Sequence, residues 1–357
     1  MNLTQNSDVM NQDIYTPAFG INIENISMNE LFLKTVTRVS VDQYTNKPAS
    51  FSLQVNDSNF GSSNEMQELL AEGRQIEIFM GYAQAMQSLI KGEIVAIGFE
   101  LDESGGFILT VEGFDRLHAA TRGSVFEKFE EKQTDRDIVR KVAKSLHLNA
   151  TVDHIEPRQG DQIQNQENNL ELLEYLARMN GFFFWVEGDT LFFKKNPVES
   201  KVVLTRGKNL TSLSARLSTS GQVDTIEVRG WDAAQKKAFS ARAKSNHSRA
   251  FVSRLVPTGQ MQISGLAGAS SERIIYADGK VRTIAEAQAM ADAEMAEQRR
   301  ALLTAEGSAI GNPDIRPGSI VDLENMGRFS GEYVVEKAQH MIDQSGYRTS
   351  FSIRQHL

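Results

Sequence analysis

The chain has 357 residues, of which 40% are hydrophobic and 24% charged, and its formal net charge is −8. These values are typical of a folded globular protein with two or three domains, and the acidic balance disfavours a broad basic surface for sequence-specific nucleic acid binding. Because the chain contains no cysteine, disulfides, thiolate metal sites and a cysteine nucleophile are excluded.

The N-terminal segment is polar and has no basic residue before Lys34, unlike a signal peptide. No apolar run approaches the ~20 residues of a membrane helix. We therefore expect no direct membrane insertion, and we expect the protein to be made and kept in the cytoplasm unless a larger particle carries it out. Residues 1–17 are predicted to form a flexible arm.

Residues 18–123 are predicted to form a first antiparallel β-barrel. Short alternating segments such as Phe51–Val55 recur between short polar turns, including one at 103–106. The only predicted helix in this region is short and lies around 66–70. Many strands with short connections favour a barrel or sandwich.

Residues 124–201 are predicted to form a second module with two helices and an aromatic hairpin. Thr134 and Asp137 have the spacing of a helix start. Asn169 is the predicted N-cap of the second helix, which ends at Asn180-Gly181. The two caps predict helices packed against the hairpin that follows them.

The aromatic run Phe182–Val186 predicts a strand that turns at 187–189 and returns as a second apolar strand. Such a run could instead serve as a stacking platform for single-stranded nucleic acid. The neighbouring carboxylates of Glu187 and Asp189 would repel phosphate groups, so a buried hairpin is the favoured interpretation.

Strands are predicted at 202–204, 210–217 and 223–231, followed by an insert at 232–305. The insert is predicted to be loop-rich as far as residue 282. Thr283 and Glu286 then form a capping box for a long helix that continues to about residue 305, with Gly307 as its stop.

The C-terminal region, 306–357, is predicted to contain a strand at 320–323 and a final hairpin that turns at 343–346. In the last strand, apolar and polar residues alternate. One side therefore faces a core, and the other faces solvent or an interface.

Two regions resemble a known family. The helix N-L-E-x-L-x-x-L-A-R-x-N-G and the aromatic hairpin after it, over 169–193, are similar to the phage late control protein D family. So are three C-terminal segments, 306–323, 331–340 and 346–354. This family includes the baseplate hubs of contractile phage tails and the N-terminal hub region of VgrG.

The resemblance implies a mainly β fold with α+β parts. It implies two tail-tube-type antiparallel β-barrels interleaved in sequence, together with the helix-hairpin unit and the loop-rich insert. The first barrel, 18–123, would be completed by about 202–231. The second module, 124–201, would be completed by 306–357.

The resemblance also implies a structural baseplate hub without catalytic residues, cofactor or metal. Three copies would form a pseudo-six-fold ring that joins a six-fold tail tube to a three-fold spike and lines the central channel. The expected partners are the tube or tube-initiator protein, other baseplate proteins and a separate trimeric spike, since VgrG continues into a spike where this sequence ends. The final location would be a virion, or the tail-like particle of a bacteriocin, injection system or secretion apparatus.

Motifs of common enzyme chemistry are not found in the sequence. There is no H-E-x-x-H, no nucleophile elbow, no phosphate loop and no dinucleotide fingerprint. The histidines are therefore interpreted as structural or surface residues. They are His118, His147, His154, His247, His340 and His356.

Two functions of other classes stay open at this stage. A tail-associated peptidoglycan hydrolase would need two carboxylates, with Glu130 and Asp135 as candidates from an acidic cluster that also holds Glu127, Glu131 and Asp137. Because the cluster flanks a helix start and includes Lys128 and Lys132, a solvated face is favoured. The other alternative is a stand-alone β-barrel binding module, which would be monomeric.

Overall fold

The computed structural model describes residues 16–56, 68–83, 85–101, 107–130, 133–155, 162–195, 200–218, 220–232, 235–245, 271–277 and 281–356. Several predictions lie outside these ranges: nearly all of the arm at 1–17, the turn at 103–106 and part of the helix around 66–70.

The N-terminal part of the chain forms strands joined mostly by short connections. They are β1 (Pro17–Ile23), β2 (Ile26–Ser27), β3 (Val36–Tyr44), β4 (Ser50–Asn56), β5 (Gln75–Tyr82), β6 (Ala85–Leu101) and β7 (Phe107–Asp115), with the short helix α1 (Glu30–Thr35) before β3. Strict alternation in β4, where Phe51, Leu53 and Val55 are buried, explains why this segment forms a half-buried strand.

The middle of the chain forms the helix-hairpin unit. It begins with a 3-10 turn (Arg116–Thr121) and contains β8 (Val125–Phe129), α2 (Asp135–Ser145), β9 (Asn149–Val152), β10 (Gln162–Glu167), α3 (Asn169–Asn180), β11 (Phe183–Glu187) and β12 (Thr190–Lys194). The apolar sides of α2 and α3 pack with the hairpin around Phe184 and Phe193.

The remaining elements follow in chain order. They are β13 (Lys201–Thr205), β14 (Leu210–Leu217), β15 (Thr225–Asp232), β16 (Lys237–Lys244), β17 (Glu272–Tyr276), α4 (Ile284–Arg300), β18 (Leu303–Ile310), β19 (Ile320–Glu324), β20 (Gly331–Asp343) and β21 (Gly346–Gln355).

One large sheet organises the molecule. Its strand order is β14-β18-β21-β20-β3-β4-β7-β6-β5-β1-β2, and β19 also pairs with β20 and carries β13. All neighbours on the main path are antiparallel. The N-terminal and C-terminal strands therefore share one sheet, joined where β3 meets β20.

Two separate cores lie under this sheet. The first is built mainly from β1 and β3 to β7 around Leu53 and Val111. The second is built from β13, β14 and β18 to β21 around Leu303 and Tyr333. We call these parts the first and second β units. The predicted mainly β fold, built from antiparallel sheets, is confirmed.

The pairing of residues 201–231 differs from the predicted division of the chain. Strand β13 pairs in parallel with β19, and β14 pairs with β18, so both belong to the second unit. The hairpin of β20 and β21 contributes to the first unit instead, because Ile342 and Tyr347 enter its core. Alternation in a sequence identifies the buried face of a strand but not its partner strand.

The helix caps agree with the sequence, with two corrections. Thr134 with Asp137 and Thr283 with Glu286 form capping boxes. The N-cap of α3 is Asn168, not Asn169, because the Asn168 side chain accepts from the Glu171 N–H at 2.8 Å. Helix α4 ends at Arg300 rather than near 305, since the following residues join the sheet as β18.

The insert contains more regular structure than predicted. Within the described residues, β15, β16 and β17 form a three-stranded sheet that packs against α4. The inward side chains of β16 and α4 are small, including Ala241, Ala243, Ala287 and Ala291. Such alanine-rich segments pack closely but give a weak hydrophobic pattern, which is why the sequence suggested loops. Among the described helices, none combines the length and apolar character needed to cross a membrane.

Candidate functional site

The two β units repeat the same arrangement of four strands. In the second unit the order is β14-β18-β21-β20, and in the first unit it is β3-β4-β7-β6. The last strand of each set is long and forms a hairpin with the strand before it in this order. Each set therefore consists of two antiparallel pairs side by side, and the two sets follow each other in the same order across the sheet.

The positions of β-bulges match between the two sets. In the long strands, the register shifts at Glu336 in β20 and at Val95 in β6. In the opposite outer strands, it shifts at Thr211 in β14 and at Thr37 in β3. A bulge inserts one residue and bends the strand locally, so matching bulges mark equivalent positions in a structural repeat.

A continuous polar face crosses all eight strands. In one row, Ser212 of β14 lies opposite Ser308, then Ser350, then Gln339. The row continues into the first unit at Asp42. Because side chains alternate between the faces of a strand, the residues between these positions fill the two cores.

The polar face is rich in small hydroxyl side chains and carries both signs of charge. Its serines are Ser40, Ser50, Ser52, Ser212, Ser214, Ser308, Ser350 and Ser352. Part of it forms a groove of about 550 Å³ in the second unit. Lys337 and Gln339 contact Asp42 across the join, at 3.6 and 3.2 Å. The face is therefore polar and of mixed charge.

Strand β20 changes partner at its bulge. Before Glu336 it pairs with β19, and after Glu336 it pairs with β3. The Thr45 N–H donates to the Glu336 carbonyl oxygen at 2.8 Å, next to the bulge. The extra residue turns the Glu336 side chain out of the ladder, which is the usual effect of a bulge.

The Glu336 carboxylate belongs to a charged cluster between the sheet and the insert. Arg354 Nε lies 2.5 Å from Glu336 Oε2, and the Arg354 guanidinium also bonds Glu297 of α4. Burial raises the pKa of Glu336 to about 7, although Arg354 opposes the shift. The Arg300 guanidinium lies 4.7 Å from the centre of the Phe183 ring.

A cavity of about 490 Å³ lies beside this cluster, where the sheet, the helix-hairpin unit and α4 meet. The sequence pattern gave no signal for the four charged residues of this cluster, which are Glu297, Arg300, Glu336 and Arg354. Their charges are ordinary surface signals in a sequence, and they lie on three separate elements of the chain. The cluster connects the modules rather than presenting free reactive groups, because its carboxylates are ion-paired to arginine.

The aromatic hairpin is buried, as the sequence predicted. Phe184 and Phe193 are fully buried, and the Trp185 and Phe192 rings stack with centroids 5.4 Å apart. Asn46 exchanges two hydrogen bonds with the backbone of Phe184, at 2.7 and 2.9 Å. The hairpin is thus a docking element on the sheet, and the stacking-platform hypothesis does not fit this burial.

The two candidate hydrolase acids have different surroundings. Asp135 is fully buried and accepts a hydrogen bond from the Asn180 side chain at 2.8 Å, which ties α2 to the end of α3. Glu130 is exposed at the end of β8. Glu127 pairs with Lys141, and Glu131 lies outside the described residues. Asp135 therefore has a structural contact, and the cluster does not form a cleft with two facing acids in the described region.

His340 is a structural histidine in the second half of β20. It is fully buried, with Nδ1 2.9 Å from the Tyr347 hydroxyl and Nε2 3.1 Å from the Ile315 carbonyl oxygen. Burial lowers the pKa of this imidazole to about 3, so it is neutral. The alternation Ala338, His340, Ile342 is the sequence signal for its inward position. His247 lies outside the described residues.

Residues 16–344 match the model of a protein family described as the Alg8 N-terminal domain. The chain belongs to this family. The match covers the first β unit, the helix-hairpin unit, the insert and the second β unit as far as the end of β20. For this member of the Alg8 N-terminal domain family, no curated protein matches at the level of sequence.

Solved structures with the same fold come from phage tails and a secretion system. The 43 kDa tail protein of prophage MuSo2 from Shewanella oneidensis superimposes with a TM-score of 0.70 at 17% identity, covering 95% of this chain and 98% of that one. A tail protein from Neisseria meningitidis gives 0.69 at 14% identity, covering 96% and 97%.

The third structure is Escherichia coli c3393, described as a component of the type VI secretion system similar to the T4 tail proteins gp27 and gp5. Its TM-score is 0.59 at 12% identity, covering 94% of this chain and 77% of that one. At these identities the likeness shows the fold. This member of the Alg8 N-terminal domain family therefore has the fold of phage tail proteins.

Proposed function

We propose that the protein is a structural hub subunit of a phage-tail-like baseplate, of the late control protein D type, without catalytic activity. Three copies form a ring that joins a six-fold tail tube to a three-fold spike and lines the central channel. The observation that carries this proposal is the polar face that continues across two matching four-strand sets.

The structural repeat supplies the symmetry argument. One chain holds two four-strand sets with the same order and matching bulges. Three chains in a closed cyclic ring then present six similar sets. Such a ring meets a six-fold partner through its repeated sets and a three-fold partner through its chains.

The chemistry of the polar face suits a channel wall. Its serines are small and uncharged, and its charged residues, such as Asp42 and Lys337, are of both signs. A cargo chain passing such a wall meets no broad apolar patch and no single-sign field that would hold it. The opposite face of these strands is occupied by the two cores over most of its length, so the polar face is the one available to line a lumen.

The partners in this proposal are the tube or its initiator, the spike and other baseplate proteins, and the final location is the assembled particle. A non-catalytic role agrees with the contacts of the acidic residues, since Asp135 bonds Asn180 and Glu336 bonds Arg354. Both carboxyl groups are occupied in connecting one element to another.

The test is purification of complexes through a tag on the full chain from its native source. The proposal predicts tail-like particles with three copies of the chain per particle, located between tube and spike in electron micrographs. A chain that is recovered as a free monomer, while intact particles from the same lysate lack it, would contradict the proposal. Cleavage of peptidoglycan by the purified chain would also contradict it.

A further inference from the structure

The join between the two units shows how one four-strand set connects to the next. After its bulge, β20 pairs with β3 in six residue pairs that begin at Lys337 opposite Tyr44 and end at Ile342 opposite Val39. The tip of the β20–β21 hairpin thereby places Ile342 and Tyr347 in the core of the first unit. One set thus supplies the side chains that complete the core of its neighbour.

The equivalent strand of the first set, β6, has an open edge along its second half in the described part of the chain. Before its bulge, β6 pairs with β5, whose contacts end opposite Glu93. From Ala96 to Leu101 it pairs with β7 alone in the described part of the chain. Leu101 is 61% exposed and Phe99 is 68% exposed, although both lie on the core-facing side, as their partners Phe107 and Leu109 show.

From Ser212 onward the outer edge of β14 is also open within the described residues: its ladder partner is β18, and a single bridge joins its first residue, Leu210, to Arg206. Its core-facing residues Leu213, Ala215 and Leu217 pack at the margin of the second core and are only half-buried. Neither edge carries proline, and long exposed edges with apolar side chains are templates for pairing with another chain. Both edges can therefore accept a further strand.

The matching bulges give a register for that pairing. Crossing the second set from Gln339 through Ser350 and Ser308 leads to Ser212. Crossing the first set from Gly98 through Thr110 and Gln54 leads to Arg38. Ser212 and Arg38 each follow the bulge threonine of their strand, so Gly98 corresponds to Gln339 and Ser212 corresponds to Arg38.

Gln339 pairs with Asp42, which lies four residues after Arg38. The residue four positions after Ser212 is Arg216. If β6 pairs with a β14 strand of another copy as β20 pairs with β3, Gly98 therefore lies opposite Arg216 of that copy.

We propose that β6 of one copy pairs with β14 of the next copy in this register. This pairing rests on the proposed function, in which three copies form a ring. Leu101 then lies opposite Leu213, Phe99 opposite Ala215 and Ile97 opposite Leu217. All three pairs are apolar and lie on the core-facing side, so the tip of one copy completes the second core of its neighbour, as Ile342 completes the first core within the chain.

Direction and charge agree with a second copy as the occupant. The path from β14 to β6 contains eight antiparallel strands, and an even number makes β6 of one copy antiparallel to β14 of the next. Glu100 also comes diagonally next to Arg216, which gives an opposite-charge pair on the polar face. Within one copy, the row of paired residues that starts at Leu210, the first residue of β14, reaches β6 at Ile94, and β6 continues beyond that row to Leu101. A closed sheet of tilted strands requires such a stagger.

Cross-linking tests the register directly, because the chain has no cysteine of its own. The pair Glu100→Cys with Ser214→Cys is introduced into the full chain in particle-producing cells, and disulfides are formed by mild oxidation. The expected result is covalent trimer as the main product. The control pair Glu100→Cys with Ser350→Cys, which lies two strands farther along the same face, gives monomer. Particles that contain three copies but no cross-link with the first pair would overturn the proposed register.

A second variant tests the energetic role of the tip. Leu101→Asp places a charge opposite Leu213 and is expected to weaken assembly of the ring at least ~100-fold, as for loss of an interface hot spot. Phe126→Asp is the matched control, because Phe126 is a 75% exposed apolar residue on β8 outside this edge, and it leaves assembly unchanged. Rings that persist with Leu101→Asp would overturn the contact and leave the hub function standing. Wild-type particles that lack the chain would instead overturn the hub function itself. Cross-links to a different protein would overturn the proposal that the edge of β6 is covered by a second copy of this chain.

Discussion

The join inside the chain and the two open ends of the sheet are built from equivalent strands but differ in what covers them. At the join, Ile342 is buried in the neighbouring unit and His340 is fully enclosed. At the open end, the equivalent residues Leu101 and Phe99 are more than half exposed. We therefore expect the contact that is satisfied within the chain at the join to be supplied by a neighbouring molecule at the open edges.

The largest contrast is expected for one substitution made at both positions. Ile342→Asp buries a carboxylate in the first core and should lower the free energy of unfolding by about 3–5 kcal/mol. Leu101→Asp in the monomeric chain should change it by less than about 0.5 kcal/mol, because the site is exposed. Urea denaturation measures both. Similar losses of unfolding free energy in the two variants would contradict the difference between the join and the open edge.

His340 should make the join sensitive to acid. Its folded pKa of about 3 lies below the ordinary value of 6.5, so the unfolded chain binds more protons between these values. The contribution of the neutral imidazole is complete above pH 6.5 and is lost as the pH falls toward 3, by up to about 1.4 kcal/mol per pH unit.

His340→Ala removes this slope and should cost about 2–4 kcal/mol at pH 7, because it opens a cavity and removes the hydrogen-bond contacts of His340 with the Tyr347 hydroxyl and the Ile315 carbonyl oxygen. Unfolding measured from pH 3 to 7 separates the two effects. An unchanged slope in the variant would show that His340 is not the titrating group.

Glu336 should give a pH dependence of opposite sign. Its folded pKa of about 7 lies above the ordinary value of 4.5, so the folded chain binds more protons in this window. The stability contributed by the protonated carboxyl is present below pH 4.5 and is lost as the pH rises through 7, by up to about 1.4 kcal/mol per pH unit. Glu336→Gln should flatten this part of the stability profile. Glu332→Gln, a more exposed carboxyl on the same strand, serves as the control and should leave it in place.

The smallest effect is expected for the polar contacts across the join. Asp42 accepts from Gln339 and lies 3.6 Å from the Lys337 ammonium group, and both contacts are partly exposed. A double-mutant cycle of Asp42→Asn with Lys337→Met should give a coupling energy of about 0.2–1 kcal/mol. A coupling of several kcal/mol would mean that charge, rather than apolar packing, holds the two units together.

Local features of the fold could be predicted from the sequence because their causes are local. The capping boxes at Thr134 and Thr283 and the left-handed stop at Gly181 depend on residues within one turn of the helix. The buried aromatic hairpin follows from a short apolar run and its turn. The cap of α3 was misplaced by one residue because Asn168 and Asn169 are chemically identical.

Long-range features could not be predicted, since many partners satisfy the same pattern. The assignment of 202–231 to the first unit failed because the apolar alternation of β13 and β14 fits either core. The bulges at Val95, Glu336, Thr37 and Thr211 have no common sequence signal. The charged cluster around Glu336 depends on one of these bulges, and the repeat becomes visible only when all four are compared.

The central claim is that the sheet continues from one copy to the next around a channel lined by its polar face. A density map of the assembled particle, at a resolution that separates strands, tests it most directly. We expect three copies whose β6 and β14 strands are hydrogen-bonded across each boundary, with the serines of the polar face toward the axis. A ring in which this face points outward, or in which the β6 and β14 edges lie apart, would contradict it.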